Sequence, residues 1–139
     1  MFQRVNCDRP LRYLCVEIAG HPLPFILRSN GTIETAQCKG NLLGVFQDIE
    51  LSDHIAELEP GDALVMYTDG VTEEHAGNRV FGEDRLAALL ASLAGQDADT
   101  IAGSVEQAVL DFGEPEPRDD MAVLVLRLRP GVASAAEAV

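Results

Sequence analysis

Apolar residues recur along this chain with two periods, one helical and one close to alternation. In the segment RLAALLASLAG, residues 85–95, Leu86, Leu89, Leu90 and Leu93 fall on one helical face and Gly95 supplies a stop, which predicts an amphipathic helix. A second helix is predicted from about Thr100, capped by Asp99 or Thr100, with Ile101, Val105, Ala108, Val109 and Phe112 inward and Gly113 closing it. Two consecutive helices of this kind are expected to pack together on one side of a sheet. The other periodic segments read as strands. LRYLCVE, Leu11 to Glu17, alternates imperfectly, as a strand partly covered on both sides does, and Phe25 to Leu27 is a short apolar run. Ile49 to Leu58 alternates loosely, ALVMY from Ala63 reads as a buried strand ending at Asp69-Gly70, and Met121 to Leu128 is nearly continuous apolar.

Turn chemistry separates these segments. Between Ala19 and Pro24 two prolines lack N–H donors and bend the chain. Asn30-Gly31, between PFILR and TIETAQ, predicts a hairpin, because positive φ is cheap at that dipeptide. Glu59-Pro60-Gly61-Asp62 is a turn signature, KGNLLGVF reads as a loop lying on the core, and Glu114 to Pro117 reads as an extended linker. Repeats and internal boundaries are lacking, so residues 1–130 are expected to form one unit, with 131–139 a flexible tail.

Composition narrows the function. Ten Lys+Arg against 23 Asp+Glu give a formal charge of −13, which repels nucleic-acid phosphate and anionic lipid. The 47% hydrophobic content is enough for a core, while the longest apolar run is far short of a membrane span. A soluble cytoplasmic protein with no nucleic-acid or membrane partner is expected. Cys7, Cys15 and Cys38 are odd in number and widely spaced, so they read as reduced thiols rather than as a disulfide framework or zinc site. Serine hydrolase chemistry has no support, since Ser52, Ser92 and Ser104 lack a nucleophile-elbow context.

Two acidic sites flank apolar strands: Asp69 just after ALVMYT, and Asp119-Asp120 just before MAVLVL. Carboxylates on strand ends are rigidly held yet wet, which suits a hard cation. Two unit charges ~4 Å apart interact by about 4 kcal/mol at an effective dielectric of 20, a repulsion that a divalent ion relieves. Gly70 would let an ion, water or phosphate approach the backbone. Spacing alone favours the plainer reading of these residues as solvated turn or cap residues.

The wording of five ordered segments goes further. Ala19-Gly20-His21-Pro22-Leu23-Pro24, Leu42-Leu43-Gly44-Val45, the run Leu58 to Asp62 leading to Tyr67-Thr68-Asp69-Gly70-Val71-Thr72-Glu73, Phe81-Gly82-Glu83-Asp84-Arg85-Leu86 and Arg118-Asp119-Asp120-Met121 resemble, in order, the motifs of the SpoIIE/RsbU-like branch of PPM-type, metal-dependent serine/threonine phosphatases. The resemblance implies an α+β fold, part of an α-β-β-α sandwich with antiparallel sheets and an outer helix pair. It implies a pair of Mn2+ or Mg2+ ions at one end of the sandwich, with Asp69 and Asp119 as ligands and catalytic residues, Gly70 beside them and Asp120 as an auxiliary ligand. Two such ions, roughly 3.5–4 Å apart, would bind phosphate oxygens and acidify a bridging water for in-line attack on phosphorus. Its usual substrate would be phosphoserine or phosphothreonine on an anti-anti-sigma protein of STAS type, within a partner-switching circuit and under an upstream sensor domain. His21 is a weak candidate for orienting substrate and is more readily a structural residue of its bend. His54 and His75 read as surface residues. Residues from Val71 to Phe81 resemble a mobile flap or switch element.

A member of that branch also carries an upstream Gly-Asp-x-x-Asp motif, and nothing in MFQRVNCDRPLRYLCVEI matches it. The resemblance therefore covers about the C-terminal half of the catalytic domain. Apolar faces made to meet the remaining strands would then be exposed, favouring association, and a homodimer is one expected outcome. The rival expectation is a non-catalytic fragment or degenerate phosphatase serving as an interaction module. A calcium-binding β domain is disfavoured, since no DxDxDG loop is present.

Overall fold

Five consecutive buried residues, Ala63–Tyr67, run through the middle of the molecule in the computed structural model, which describes residues 2–6, 13–19, 21–37, 54–113 and 119–129. A strand apolar on both faces must be covered on both, and the rest of the chain supplies that cover. The described strands are β1 (Phe2–Asn6), β2 (Tyr13–Ala19), β3 (Phe25–Leu27), β4 (Ile33–Thr35), β5 (His54–Glu57), β6 (Ala63–Tyr67), β7 (His75–Ala76), β8 (Arg79–Val80) and β9 (Val123–Arg127). The helices are α1 (Asp69–Thr72), α2 (Gly82–Ser92) and α3 (Ala98–Phe112). One antiparallel sheet has the order β4-β3-β6-β9, a second β1-β2-β5, and β7 and β8 form a separate hairpin.

Alternation along the central strands divides the core in two. Phe25, Leu27, Ala63, Val65 and Tyr67 face α2 and α3 and pack with Leu86, Leu90, Ile101, Val105 and Val109. Ile26, Leu64 and Met66 face the other way and pack with Ala56 of β5 and with Leu58 and Ala36, which joins the two sheets. Helices, sheet and second sheet thus form successive layers of an α+β fold, with the helix pair on one side as the sequence predicts.

The start of β6 is fixed by a polar knot. Asp62, buried at 2% exposure, accepts hydrogen bonds from Arg28 Nη1 at 2.8 Å, Ser29 N at 2.8 Å and Glu59 N at 2.9 Å. Arg28 also forks onto Glu34, through Nε at 2.9 Å and Nη2 at 2.7 Å, and donates Nη1 to the Glu57 carbonyl at 2.7 Å. One arginine thereby ties the β3–β4 hairpin to the ends of β5 and the turn before β6. Gly31 and Gly61, at φ of +86° and +97°, sit at the two turns anticipated at Asn30-Gly31 and Glu59 to Asp62.

Several boundaries differ from expectation. α3 starts at Ala98, because Asp97 rather than Asp99 or Thr100 is the cap, its Oδ1 accepting from Thr100 N at 2.7 Å. α2 ends at Ser92, three residues before Gly95, which sits in the following turn at φ +86°. β9 alternates between half-buried and exposed residues, because among the described strands it lies at the edge of its sheet and one face lacks cover there. The short α1 was unforeseen, since four residues leave no period to read. The KGNLLGVF loop, the Glu114 to Pro117 linker, the tail, and the outer parts of the two expected strands that begin at Leu11 and Ile49 lie outside the described residues.

Candidate metal centre

At its far end β6 runs into Thr68, Asp69 and Gly70, and the chain that becomes β9 passes beside them. Thr68 joins the two. Its backbone N–H donates to the Ala122 carbonyl at 3.1 Å, its hydroxyl donates to the Asp120 carbonyl at 3.1 Å, and the same hydroxyl accepts from Ala122 N at 3.0 Å. Gly70 is buried against this pairing: a Cβ built there would lie 2.5 Å from the Asp120 carbonyl oxygen and 3.5 Å from the Asp119 carbonyl carbon. Only a residue without a side chain permits that approach. Two acidic segments separated by about fifty positions are therefore brought to one strand end, as their positions beside the two strands suggest.

The carboxylates themselves are exposed and lightly held. Asp69 Oδ1 accepts from Gly70 N at 3.1 Å and Asp119 Oδ1 accepts from Asp120 N at 2.8 Å, so each aspartate is oriented by the next peptide through one carboxylate oxygen. Among the described residues the ion pairs are those of Arg28, and no cation neutralises Asp69, Asp119 or Asp120. Oxygen donors without a protein counter-charge fit a hard divalent ion. The described residues contain no group of three or more His, Cys, Asp or Glu side chains placed to hold a metal.

The remaining candidates are placed elsewhere. His21 is half-buried in the bend before β3, its Nδ1 buried without a hydrogen-bond partner among the described residues, and no hydrogen bond links it to the acidic strand end. His75 is half-buried in β7 rather than on the surface. The side chain of His54 and the residues Gly20 and Arg118 lie outside the described set. Thr68 escaped sequence reasoning; the available signal was a hydroxyl residue directly after a buried strand and before Asp-Gly.

The segment after α1 is anchored by an unexpected pair. Glu74 is 5% exposed and its carboxylate packs on Gly113, where a Cβ would meet Oε1 at 2.6 Å. Gly113 itself has an extended backbone, so it is this close approach, not a positive φ, that calls for glycine. Tyr67 stacks on Phe25 with ring centroids 5.7 Å apart. Its hydroxyl is buried without a hydrogen-bond partner of good geometry among the described residues, and burial together with the nearby Glu83 charge pushes its ionisation upward.

Residues 5–129 match the family model described as Stage II sporulation protein E (SpoIIE). The chain belongs to the SpoIIE family. It is 28% identical over 110 residues to the phosphoserine phosphatase RsbU of Bacillus subtilis, a match covering 78% of this chain and 33% of that protein. Its fold resembles the phosphatase domain of the cell fate determinant SpoIIE from Bacillus subtilis, presoaked with Mn, with TM-score 0.74 and 20% identity, covering 94% of this chain and 57% of that one. It also resembles the RsbU and RsbW domains of a Mycobacterium tuberculosis protein, with TM-score 0.70 and 25% identity, covering 84% of this chain and 32% of that one. The chain thus spans about a third of the curated relative RsbU and rather more than half of the SpoIIE phosphatase domain.

Proposed function

We propose that this chain is the C-terminal part of a metal-dependent protein serine/threonine phosphatase domain, in which Asp69 and Asp119 are metal ligands, Asp120 is an auxiliary ligand and Gly70 gives the cluster room. The supporting observation is the packing of Gly70 on the Asp119-Asp120 backbone, with Thr68 fastening the two acidic segments together. A pair of Mn2+ or Mg2+ ions, when bound, would supply Lewis acidity toward a phosphate oxygen and a more acidic water. The chain's own part is to hold carboxylate oxygens in fixed positions, with Thr68 and the following peptides as the props. On the family reading, further ligands would come from the Gly-Asp-x-x-Asp motif, which residues 1–18 do not match. The name of the relative RsbU points to phosphoserine, and the family reading extends it to an anti-anti-sigma protein of STAS type, in the cytoplasm and under an upstream sensor. Among the described residues no helix is long and apolar enough to cross a membrane.

The test is manganese-dependent dephosphorylation of a phosphoserine-bearing STAS protein by the natural protein that contains this chain. Loss of turnover in both Asp69→Asn and Asp119→Asn is expected, and undiminished turnover in Asp69→Asn would overturn the assignment. The rival reading, a non-catalytic interaction module, draws on the absence of a three-residue ligand group among the described residues. It predicts tight binding of the phosphoprotein with no turnover at any manganese concentration.

A further inference from the structure

In a chain with 23 acidic residues and ten basic ones, arginines without an acidic partner among the described residues stand out. Two such arginines converge on one aromatic ring. The Arg79 guanidinium, from β8, lies 5.5 Å from the centroid of the Phe112 ring, and that of Arg85, from the first turns of α2, lies 4.7 Å from it. Phe112 is itself held in place, edge-on to the buried Phe81 at 5.5 Å and partly packed against the main core. Both arginines are exposed, and neither side chain makes an ion pair or hydrogen bond with another described residue. The hairpin that carries Arg79 is fixed at its base, where Glu74 is buried against Gly113 and its carbonyl accepts from Phe81 N at 2.9 Å.

A guanidinium laid over a ring uses its face for the cation–π contact and keeps its in-plane N–H groups for an anion. Stacking also removes rotamer freedom beforehand, so less is lost when the anion binds. The arrangement is therefore a preorganised pair of forks with no described acid to satisfy them. We infer that Arg79 and Arg85, held over Phe112, form a docking site for an acidic segment of the protein substrate. The pairing favours carboxylate or phosphate groups on a peptide, since each fork suits a planar or tetrahedral oxyanion. The net negative charge of the chain works against such a segment overall, so a local pair of cations matters for its capture. The inference rests on the phosphatase reading for the identity of its partner, but the binding it predicts needs no metal and no catalysis.

The experiment measures fluorescence anisotropy of a labelled peptide, one phosphoserine flanked by glutamates, titrated with the 139-residue chain in EDTA. A matching peptide with serine and glutamines is the control. Wild-type chain should bind the acidic peptide at least tenfold tighter than the control. The double variant Arg79→Gln, Arg85→Gln should lose about that factor, and Arg79→Lys with Arg85→Lys should fall between, because an ammonium keeps the charge without the fork. Asp69→Asn should bind as wild type does, which separates docking from the metal site. Equal affinity of wild type and the glutamine double variant, with circular dichroism showing both folded, would overturn the inference. So would equal affinity for the two peptides. Loss of phosphatase activity in Asp69→Asn bears on the metal reading alone.

Discussion

Gly70 stands so close to Asp120 that a Cβ on it would lie 2.5 Å from the Asp120 carbonyl oxygen. The contact is with backbone, which cannot swing aside as a long side chain can. Gly70→Ala should therefore push the two acidic segments apart. Overpacking of this kind costs about 1–3 kcal/mol. Displacing the props of metal ligands typically lowers affinity by about 10-fold or more. Urea unfolding and manganese titration by calorimetry measure the two effects, and an alanine variant with unchanged manganese affinity would separate the close packing from the proposed centre.

Thr68 holds the same junction by different means, with one hydroxyl serving as donor to Asp120 and acceptor from Ala122. Thr68→Val keeps the shape and removes both bonds, leaving the Ala122 N–H without that partner. The expected loss is about 1–3 kcal/mol, toward the lower end because Thr68 is only half-buried. Thr68→Ser restores the hydroxyl and should recover most of it. Hydrogen exchange at the Ala122 amide reads the change locally, with faster exchange in the valine variant only.

How much of this was legible in the sequence depends on the range of the interactions. The helices over Leu86 to Leu93 and Ile101 to Phe112, the Asn30-Gly31 hairpin and the buried ALVMY strand are written locally, in period and turn chemistry, and the structure bears them out. Asp69 and Asp119 could be proposed together only because both flank apolar strands and because the motifs resemble a known family. The role of Gly70 as a spacer against Asp120, the knot of Arg28 on Asp62, and the seat of Glu74 on Gly113 join residues 34 to 50 positions apart. No local pattern encodes such partners, and a charged residue in a turn reads as solvated until the structure shows it buried. The alternation of β9 was hidden for the opposite reason: its apolar sequence is continuous, and only its edge position leaves Leu124 and Leu126 open.

The Arg28–Asp62 pair should matter more to stability than a surface ion pair. Asp62 is nearly inaccessible and accepts from two backbone N–H groups besides the guanidinium. Asp62→Ala leaves the Ser29 and Glu59 N–H groups without that acceptor while Arg28 keeps Glu34 and the Glu57 carbonyl, so the expected loss is about 1–3 kcal/mol, the cost of unsatisfied buried donors. Exposed Glu34 is the contrast: Glu34→Gln should cost roughly 0–1 kcal/mol despite the same bidentate partner. Chemical denaturation of the two variants gives the comparison directly, and similar losses would show that burial at Asp62 is not the deciding factor.

The same knot predicts a pH response. Burial acts against the Asp62 charge, but hydrogen bonds from Glu59 N, Arg28 and Ser29 N outweigh it and hold the carboxyl below the usual carboxylate range. Glu34 is lowered by its hydrogen bond from Arg28, and Asp97 by that from Thr100 N. A depressed folded-state value means that the unfolded chain binds more protons, so stability falls as pH falls. The contribution is complete above the unfolded values of about 3.9 for Asp and 4.3 for Glu, and it is lost as pH drops through the folded ones. Acid also relieves repulsion in a chain of charge −13, which acts in the opposite direction. The difference between wild type and Asp62→Asn isolates the knot. That difference should be constant from neutral pH to about 5 and shrink below about 4.

Leu124 and Leu126 are 58% and 43% exposed, although their register partners on β6, Met66 and Leu64, are buried on the same face of the sheet. Ala56 of β5 and Leu58 pack on the middle of that face, and Leu124 and Leu126 stay exposed at its β9 margin. Among the described residues β9 pairs with β6 alone, so an apolar margin coincides with an unpaired strand edge. Such an edge invites pairing with another chain, and charged residues on it discourage that. The isolated chain should therefore self-associate in a concentration-dependent way, and Leu124→Lys with Leu126→Glu should shift it toward monomer. Because both side chains are already largely wet, the double variant should change monomer stability by no more than about 0.5 kcal/mol per site. Sedimentation equilibrium across a concentration series decides the matter: an unchanged association constant in the double variant would move the contact to a different surface.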